Sequence, residues 1–158
     1  VLRVGGVRDV EPPQILHRAC DAFADEPGRF ATVVIMLADP RTGRLSWVNA
    51  GHPAPIQFTA GSGRWSVLES AGGPVLGIIP EGQFPRSAGR LGRGDALVLY
   101  TDGVIEARGH DLSRGLDRLL GHAERLITTG FAGGARRLCA DAQAGDSDDR
   151  AVVVIWRD

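Results

Sequence analysis

Apolar and polar positions follow one another along the chain in blocks. Apolar runs rich in β-branched or aromatic residues predict strands, and polar or glycine-rich segments between them predict turns. The predicted strands cover residues 30–38, 45–48, 56–59, 65–68, 96–100 and 151–156. The first two strands enclose the turn 39–43 and the next two enclose the glycine-rich segment 60–64, so two hairpins are predicted.

Three other segments have the apolar period of helices. Residues 12–24 begin with a proline pair and repeat apolar residues at helical spacing. Residues 112–127 place six apolar residues on one face, and residues 131–142 form a third helix weakened by two glycines. Residues 71–95 are rich in glycine and proline and predict irregular structure with short strands. The chain is therefore predicted to be α+β, with antiparallel strands and helices on the outside.

Composition limits the classes of function that fit. A chain of 158 residues with 43% apolar and 23% charged residues is typical of one globular domain. The formal net charge of −1 gives no reason to expect nucleic acid or an anionic membrane as partner. No apolar run approaches the ~20 residues of a membrane span. Cys20 and Cys139 lie in apolar helical settings, which predicts two buried thiols in a cytoplasmic protein; a disulfide between them stays open.

The segment "ALVLYTDGVIEA" places Asp102 directly after a buried strand. One interpretation is a β-hairpin, because Asp-Gly between apolar runs is a strong signal for a type I′ turn. The other is a functional site, because a carboxylate at the end of a rigid strand is well placed to bind a metal ion. This stretch alone favours neither. Glu106, four residues later, is either a surface acid or a neighbour of such a site.

A second acidic segment precedes the last apolar run. Asp146, Asp148 and Asp149 stand immediately before residues 151–155, and three acids this close repel one another unless a cation compensates. A solvated polar turn is the simpler interpretation. If this strand and the strand before Asp102 are neighbours, however, their carboxylates converge. Hard cations such as Mg²⁺ and Mn²⁺ prefer oxygen ligands of this kind.

The segment "SWVNAGHPAPI" contains a third candidate. Asn49 ends a predicted strand, the chain turns, and His52 follows, with Pro53 and Pro55 holding the next residues extended. A lone histidine is more often structural than functional. At a stiff strand exit, however, an imidazole can ligate a metal ion or donate a hydrogen bond to phosphate.

Together these motifs resemble a known family. "FATVVIMLADPRTGRLSWVNAGHPAPI", "GPVLGI", "LGRGDALVLYTDGVIEAR" and "DDRAVVVIW" follow one another as in metal-dependent serine/threonine protein phosphatases. The branch is the bacterial one of stage II sporulation protein E and the sigma-factor-regulating phosphatases. The resemblance implies two antiparallel sheets packed as a sandwich and flanked by helices. It also implies a site for two Mn²⁺ or Mg²⁺ ions, which activate a water that attacks phosphoserine or phosphothreonine.

The resemblance assigns roles residue by residue. Asp102 and Asp148 match metal ligands, and Asn49, His52, Gly103 and Asp149 match positions that line the site. One family motif has no match: the early Gly-Asp whose aspartate bridges both ions. Residues 1–10 are similar to the tail of the helix that follows it. We therefore expect a single phosphatase domain over 1–158 that lacks its N-terminal strands and corresponds to the C-terminal two-thirds of the family domain.

Two functions from different classes follow from this resemblance. The first is a phosphatase that acts on a phosphorylated regulatory protein of the anti-sigma-factor-antagonist type, with weak activity in this chain alone. The second is a non-catalytic phosphatase-like module that binds a phosphoprotein or relays a signal. A third and plainer hypothesis is a hairpin protein with acidic turns. Missing strands would leave sheet edges unpaired, so self-association, for example as a homodimer, is expected as well.

Overall fold

Seven strands and three helices occupy the part of the chain that the computed structural model describes, residues 11–24, 28–79, 82–106, 111–142 and 149–158. In chain order the elements are α1 (Pro12–Ala24), β1 (Val33–Ala38), β2 (Arg44–Ala50), β3 (Ile56–Thr59), β4 (Arg64–Val67), β5 (Ser87–Arg90), β6 (Ala96–Tyr100), α2 (Leu112–Thr129), α3 (Gly134–Asp141) and β7 (Val152–Trp156). A short 3₁₀ helix, Asp102–Val104, follows β6. The described residues form two units: residues up to 54 with 69–90, and residues 55–68 with those from 91 onward.

The first unit is an antiparallel sheet in the order β1-β2-β5, with α1 packed on β2. The β1–β2 hairpin closes through a turn in which Asp39 accepts hydrogen bonds from the Arg41 backbone N–H and the Thr42 hydroxyl. Helix α1 buries its apolar stripe here, and Leu16 is only 1% exposed. The buried residues around Leu16 are Val48, Ala50, Leu76 and Phe84.

The second unit is an antiparallel sheet in the order β4-β3-β6-β7. Strand β6 is paired on both sides and all five of its residues are buried, as a continuous apolar run predicts for a central strand. Helix α2 begins at the N-cap Asp111, whose side chain accepts the Ser113 N–H. Its buried face consists of Gly115, Leu119, Ala123 and Leu126. At the α2–α3 contact, His122 Nδ1 lies 3.1 Å from Asp141 Oδ2.

These elements confirm the predicted α+β class with two antiparallel sheets, and several predicted bounds shift. The first strand begins at Val33 rather than at Phe30, which is 68% exposed. Helix α3 is shorter than predicted, because its two glycines stand at the N-cap and first helical position. Leu112 was predicted on the buried face of α2 but is 50% exposed, since it occupies the first turn of that helix.

The two cysteines differ from the prediction of buried thiols. Cys20 in α1 and Cys139 in α3 are both only half-buried. Helical periodicity placed them near an apolar face, but periodicity does not distinguish the centre of that face from its margin.

In the described residues, no helix combines the length and the apolar character that crossing a membrane requires.

Candidate functional site

Asp102 stands where β6 leaves the sheet, and the backbone turns there into a 3₁₀ helix. The Val104 N–H donates to the Thr101 carbonyl at 3.0 Å, and the Ile105 N–H donates to the Asp102 carbonyl at 2.8 Å. The hairpin interpretation of Asp-Gly is therefore wrong. Strand β6 pairs with β3, which precedes it, and with β7, which follows only after α2 and α3, so no hairpin starts at Asp102. A type I′ turn also requires a positive φ, and Gly103 is not among the glycines that have one.

The carboxylate of Asp102 is exposed and has a defined orientation. Its Oδ1 accepts the N–H of Gly103 at 3.0 Å, while Gly103 itself is buried. A carboxylate held by a backbone N–H on a short turn costs less entropy to order around a ligand than a freely rotating side chain does. Asp102 is thus presented at the open end of a rigid, fully buried strand.

The end of β6 lies beside the start of β7. The two strands are antiparallel neighbours, with Tyr100 opposite Val152. Beyond that pair, the Thr101 hydroxyl donates to the Asp149 carbonyl at 3.1 Å and accepts the Ala151 N–H at 2.9 Å. The hypothesis of convergent acids requires these strands to be neighbours, and they are.

Thr101 therefore connects the Asp102 turn to the second acidic segment. The side chain of Asp149 is exposed there. Asp146 and Asp148 lie outside the described residues, so metal ligation by Asp102 and Asp148 stays a prediction. Thr101 was not identified from sequence, because a threonine after a strand is too common to signal a role.

The donor set at this strand end suits a hard divalent cation in type but not in number. Carboxylate oxygens are the ligands that Mg²⁺ and Mn²⁺ prefer. Within the described ranges, no group of three or more histidine, cysteine, aspartate or glutamate side chains is close enough to hold one ion. Asp102 and Asp149, the described aspartates at these two strand ends, are therefore suited to form part of a metal site but do not complete one.

The loop after β2, in the first unit, is closed by a side chain. Asn49 is only 7% exposed; its Nδ2 donates to the His52 carbonyl at 2.8 Å, and its Oδ1 accepts the His52 N–H at 2.7 Å. The loop also needs a glycine at position 51, where φ is +67° and Val75 fills the space that a Cβ would occupy. The structure thus brings Asn49 and His52 into direct contact and gives Asn49 a structural role.

The imidazole of His52 is half-buried and contacts a side chain from the segment before β1. Its Nδ1 lies 3.1 Å from the Thr32 hydroxyl. Thr32 was missed by sequence reasoning, because it precedes β1 and is 20 residues away in the chain. The contact with Thr32 restricts the orientation of the imidazole ring, and a side chain that binds a metal ion or phosphate needs a defined orientation. That role stays a prediction.

Comparison with protein families gives one match over nearly the whole chain. The family model described as stage II sporulation protein E matches residues 2–158. Among curated proteins, Protein IcfG from Synechocystis is 36% identical over 91 residues, which are 56% of this chain and 14% of that protein. The phosphoserine phosphatase RsbP from Bacillus subtilis is 30% identical over 82 residues, 52% of this chain and 20% of that protein. This chain therefore aligns with no more than about a fifth of either relative's length.

Solved structures confirm the fold. The RsbU and RsbW domains of a Mycobacterium tuberculosis protein match with a TM-score of 0.77 at 26% identity, over 94% of this chain and 42% of that one. The SiaA PP2C domain of Pseudomonas aeruginosa matches with a TM-score of 0.65 at 18% identity, over 93% of this chain and 61% of that one. The phosphatase domain of SpoIIE from Bacillus subtilis gives 0.56 at 14% identity, over 95% and 67%.

Proposed function

Because the chain belongs to the stage II sporulation protein E family, a branch of the PP2C-like phosphatases, we propose that it hydrolyses phosphoserine or phosphothreonine on a regulatory protein. The observation that carries the proposal is Asp102 at the open end of buried β6, joined through Thr101 to the acidic segment before β7. The family match by itself does not establish activity, and the exposed Asp102 carboxylate beside a second acidic segment supports it because Mg²⁺ and Mn²⁺ prefer carboxylate oxygens.

The proposed centre uses Mn²⁺ or Mg²⁺. Two such ions, when bound, supply the Lewis acidity that makes water nucleophilic at neutral pH and neutralises phosphate charge. Asp102 and Asp148 are the proposed ligands, and Asp149 and Gly103 line the same strand ends. The Gly103 N–H orients the Asp102 carboxylate, and Thr101 sets the spacing of the two strand ends through its hydroxyl. The Gly103 contact holds the Asp102 carboxylate in place before a cation arrives, which reduces the cost of binding it.

His52 has a separate proposed task. The contact of Nδ1 with the Thr32 hydroxyl orients the ring, and an imidazole is a group that can donate to a phosphate oxygen or ligate a metal ion. Asn49 acts through His52, because its amide fixes the backbone on which the ring stands. Asn49 is therefore a positioning residue in this proposal.

The proposed substrate is a phosphorylated protein of the anti-sigma-factor-antagonist type. Two relatives support this: RsbP is a phosphoserine phosphatase, and the mycobacterial structure combines an RsbU with an RsbW domain. The net charge of −1 supports a protein partner over nucleic acid.

The test is Mn²⁺-dependent hydrolysis of a phosphoserine peptide by the full-length protein, expressed from its gene, and by two variants of it. Asp102→Asn removes the charge that holds the cation and should lower the rate at saturating peptide at least a hundredfold. Glu106→Gln is the matched control, because it makes the same change at an exposed carboxylate in the same turn and should leave the rate within twofold. Normal activity in Asp102→Asn would refute the proposed role of Asp102. Peptide binding without hydrolysis by the parent would identify the non-catalytic module instead.

A further inference from the structure

The turn that carries Asp102 rests directly on helix α2, at Gly115. An ideal Cβ on Gly115 would lie 2.7 Å from the carbonyl carbon of Ile105, 3.0 Å from its Cα, and nearer still to its oxygen. Real Cβ atoms essentially never approach another heavy atom more closely than 3.0 Å. The backbone of α2 and the backbone of the turn therefore touch at a distance that only glycine permits.

Gly115 is not required for its backbone conformation. Its φ is not positive, and its N–H donates to the Asp111 carbonyl as an ordinary first-turn contact. Glycine inside a helix costs about 1 kcal/mol relative to alanine, and at position 115 there is a packing reason for it, because the Cβ of an alanine would overlap the Ile105 backbone. The same helix contains Gly121, where an added Cβ would meet nothing within 4 Å. The contact with Ile105 distinguishes the two glycines.

The contact is transmitted to Asp102 by short hydrogen bonds. The Asp102 carbonyl accepts the N–H of Ile105 at 2.8 Å and the N–H of Glu106 at 2.7 Å. Val104 and Ile105 are 8% and 7% exposed and lie in the same core cluster as Leu119 of α2. A turn this tightly closed moves as a unit, so a displacement of Ile105 displaces Asp102.

We propose that α2, through Gly115, positions the Asp102 carboxylate and thereby sets the affinity of the site for a divalent cation. This inference rests on the proposed function of Asp102, and it makes Gly115 a positioning residue. Relief of the overlap at position 115 requires a shift on the order of 1 Å, and misplacements of that size cost up to ~100-fold where ligand geometry matters.

The test compares two glycine-to-alanine changes on one helix. Mn²⁺ affinity of the gene-encoded protein is measured by electron paramagnetic resonance of the free ion, and the thermal midpoint is measured in parallel. Gly115→Ala should weaken Mn²⁺ binding at least tenfold. Gly121→Ala should leave binding within twofold and raise the thermal midpoint, because alanine is the better helix former and the site is open.

A third variant separates positioning from stability. Leu126→Ala removes a buried side chain from the same helix face, about three turns beyond Gly115 where α2 meets Gly134 of α3, and adds no atom against Ile105. It should lower the thermal midpoint yet leave Mn²⁺ affinity within twofold at temperatures where the protein is folded. If Leu126→Ala weakened binding as much as Gly115→Ala, loss of stability would explain both and the inference would be overturned.

If Gly115→Ala does not fold, hydrogen exchange in the unmodified protein decides. Saturating Mn²⁺ should slow exchange of the Gly115–Leu119 amides more than that of the Gly121–Arg125 amides, because coupling between sites is reciprocal. Equal protection of both segments would contradict the inference. Wild-type Mn²⁺ affinity in Asp102→Asn would overturn the proposed function instead, so the two failures are distinguishable.

Discussion

Replacement of Asn49 by alanine should open the loop that presents His52 and destabilise the fold measurably. The amide makes two hydrogen bonds, of 2.7 and 2.8 Å, to the backbone N–H and carbonyl of one residue, and it is 93% buried, since only 7% is exposed. Losing both leaves two backbone groups without partners, each worth about 1–3 kcal/mol when buried. Because His52 is only half-buried, exposure to solvent in the variant offsets part of that cost, and we expect a total loss of about 2–4 kcal/mol.

The assay is urea unfolding followed by tryptophan fluorescence. With a slope of about 2 kcal/mol per molar urea, the midpoint should fall by about 1–2 M while the slope stays unchanged. Asn49→Asp keeps the acceptor, loses the donor and sets a carboxylate against the His52 carbonyl, so it should be destabilising too. Ser66→Ala, at an exposed position of β4, is the control and should change stability by less than ~0.5 kcal/mol. A loss below ~0.5 kcal/mol in Asn49→Ala would refute the loop-closing role.

Three other predictions follow from the described residues. Burial raises the pKa of Tyr100 to about 12, and ultraviolet titration measures it directly because Tyr100 is the only tyrosine of the sequence. The unfolded chain ionises this tyrosine near pH ~10, so the folded state should lose stability between pH ~10 and ~12, and Tyr100→Phe should abolish that loss. Hydrogen bonds from the Thr42 hydroxyl and then from the backbone N–H groups of Arg41 and Thr42 lower the pKa of Asp39 below its usual 3.8. The ionised Asp39 therefore stabilises the fold above pH 3.8, and this stabilisation is lost as the pH falls through the folded-state pKa. Thr42→Val should raise the Asp39 pKa in a carboxyl NMR titration. Strands β1 and β7 end their sheets with half-exposed apolar residues, so the chain should self-associate; a monomer in sedimentation at high concentration would contradict this.

The sequence was most informative where apolar runs were long or strongly periodic. Strand β6 was predicted at its observed bounds because five consecutive buried residues leave no other register. Helix α1 was predicted because the proline pair and an apolar stripe gave the same start. Turn chemistry placed both hairpins to within a residue or two, since their loops contain glycine and polar residues that strands disfavour.

Local pattern failed where tertiary contacts decide the outcome. Asp102-Gly103 satisfies a hairpin signal, but β6 is already paired on both sides, so the following segment has no free edge beside it to return along. Thr101, Thr32 and Gly115 carry no signal of their own, because each acts on a residue distant in the chain or hidden behind a turn. A glycine in the first turn of a predicted amphipathic helix was the available hint, and its meaning depends on what that helix contacts.

The proposed function requires that a divalent cation binds to Asp102 at the end of β6. The most direct measurement is anomalous diffraction at the manganese edge from crystals of the protein soaked in Mn²⁺. If Asp102 is a metal ligand, a peak is expected within about 2.0–2.6 Å of one of its carboxylate oxygens. Peaks confined to other acidic positions, such as Asp39 in the β1–β2 turn or Asp141 beside His122, with none at Asp102 under saturating Mn²⁺, would contradict it.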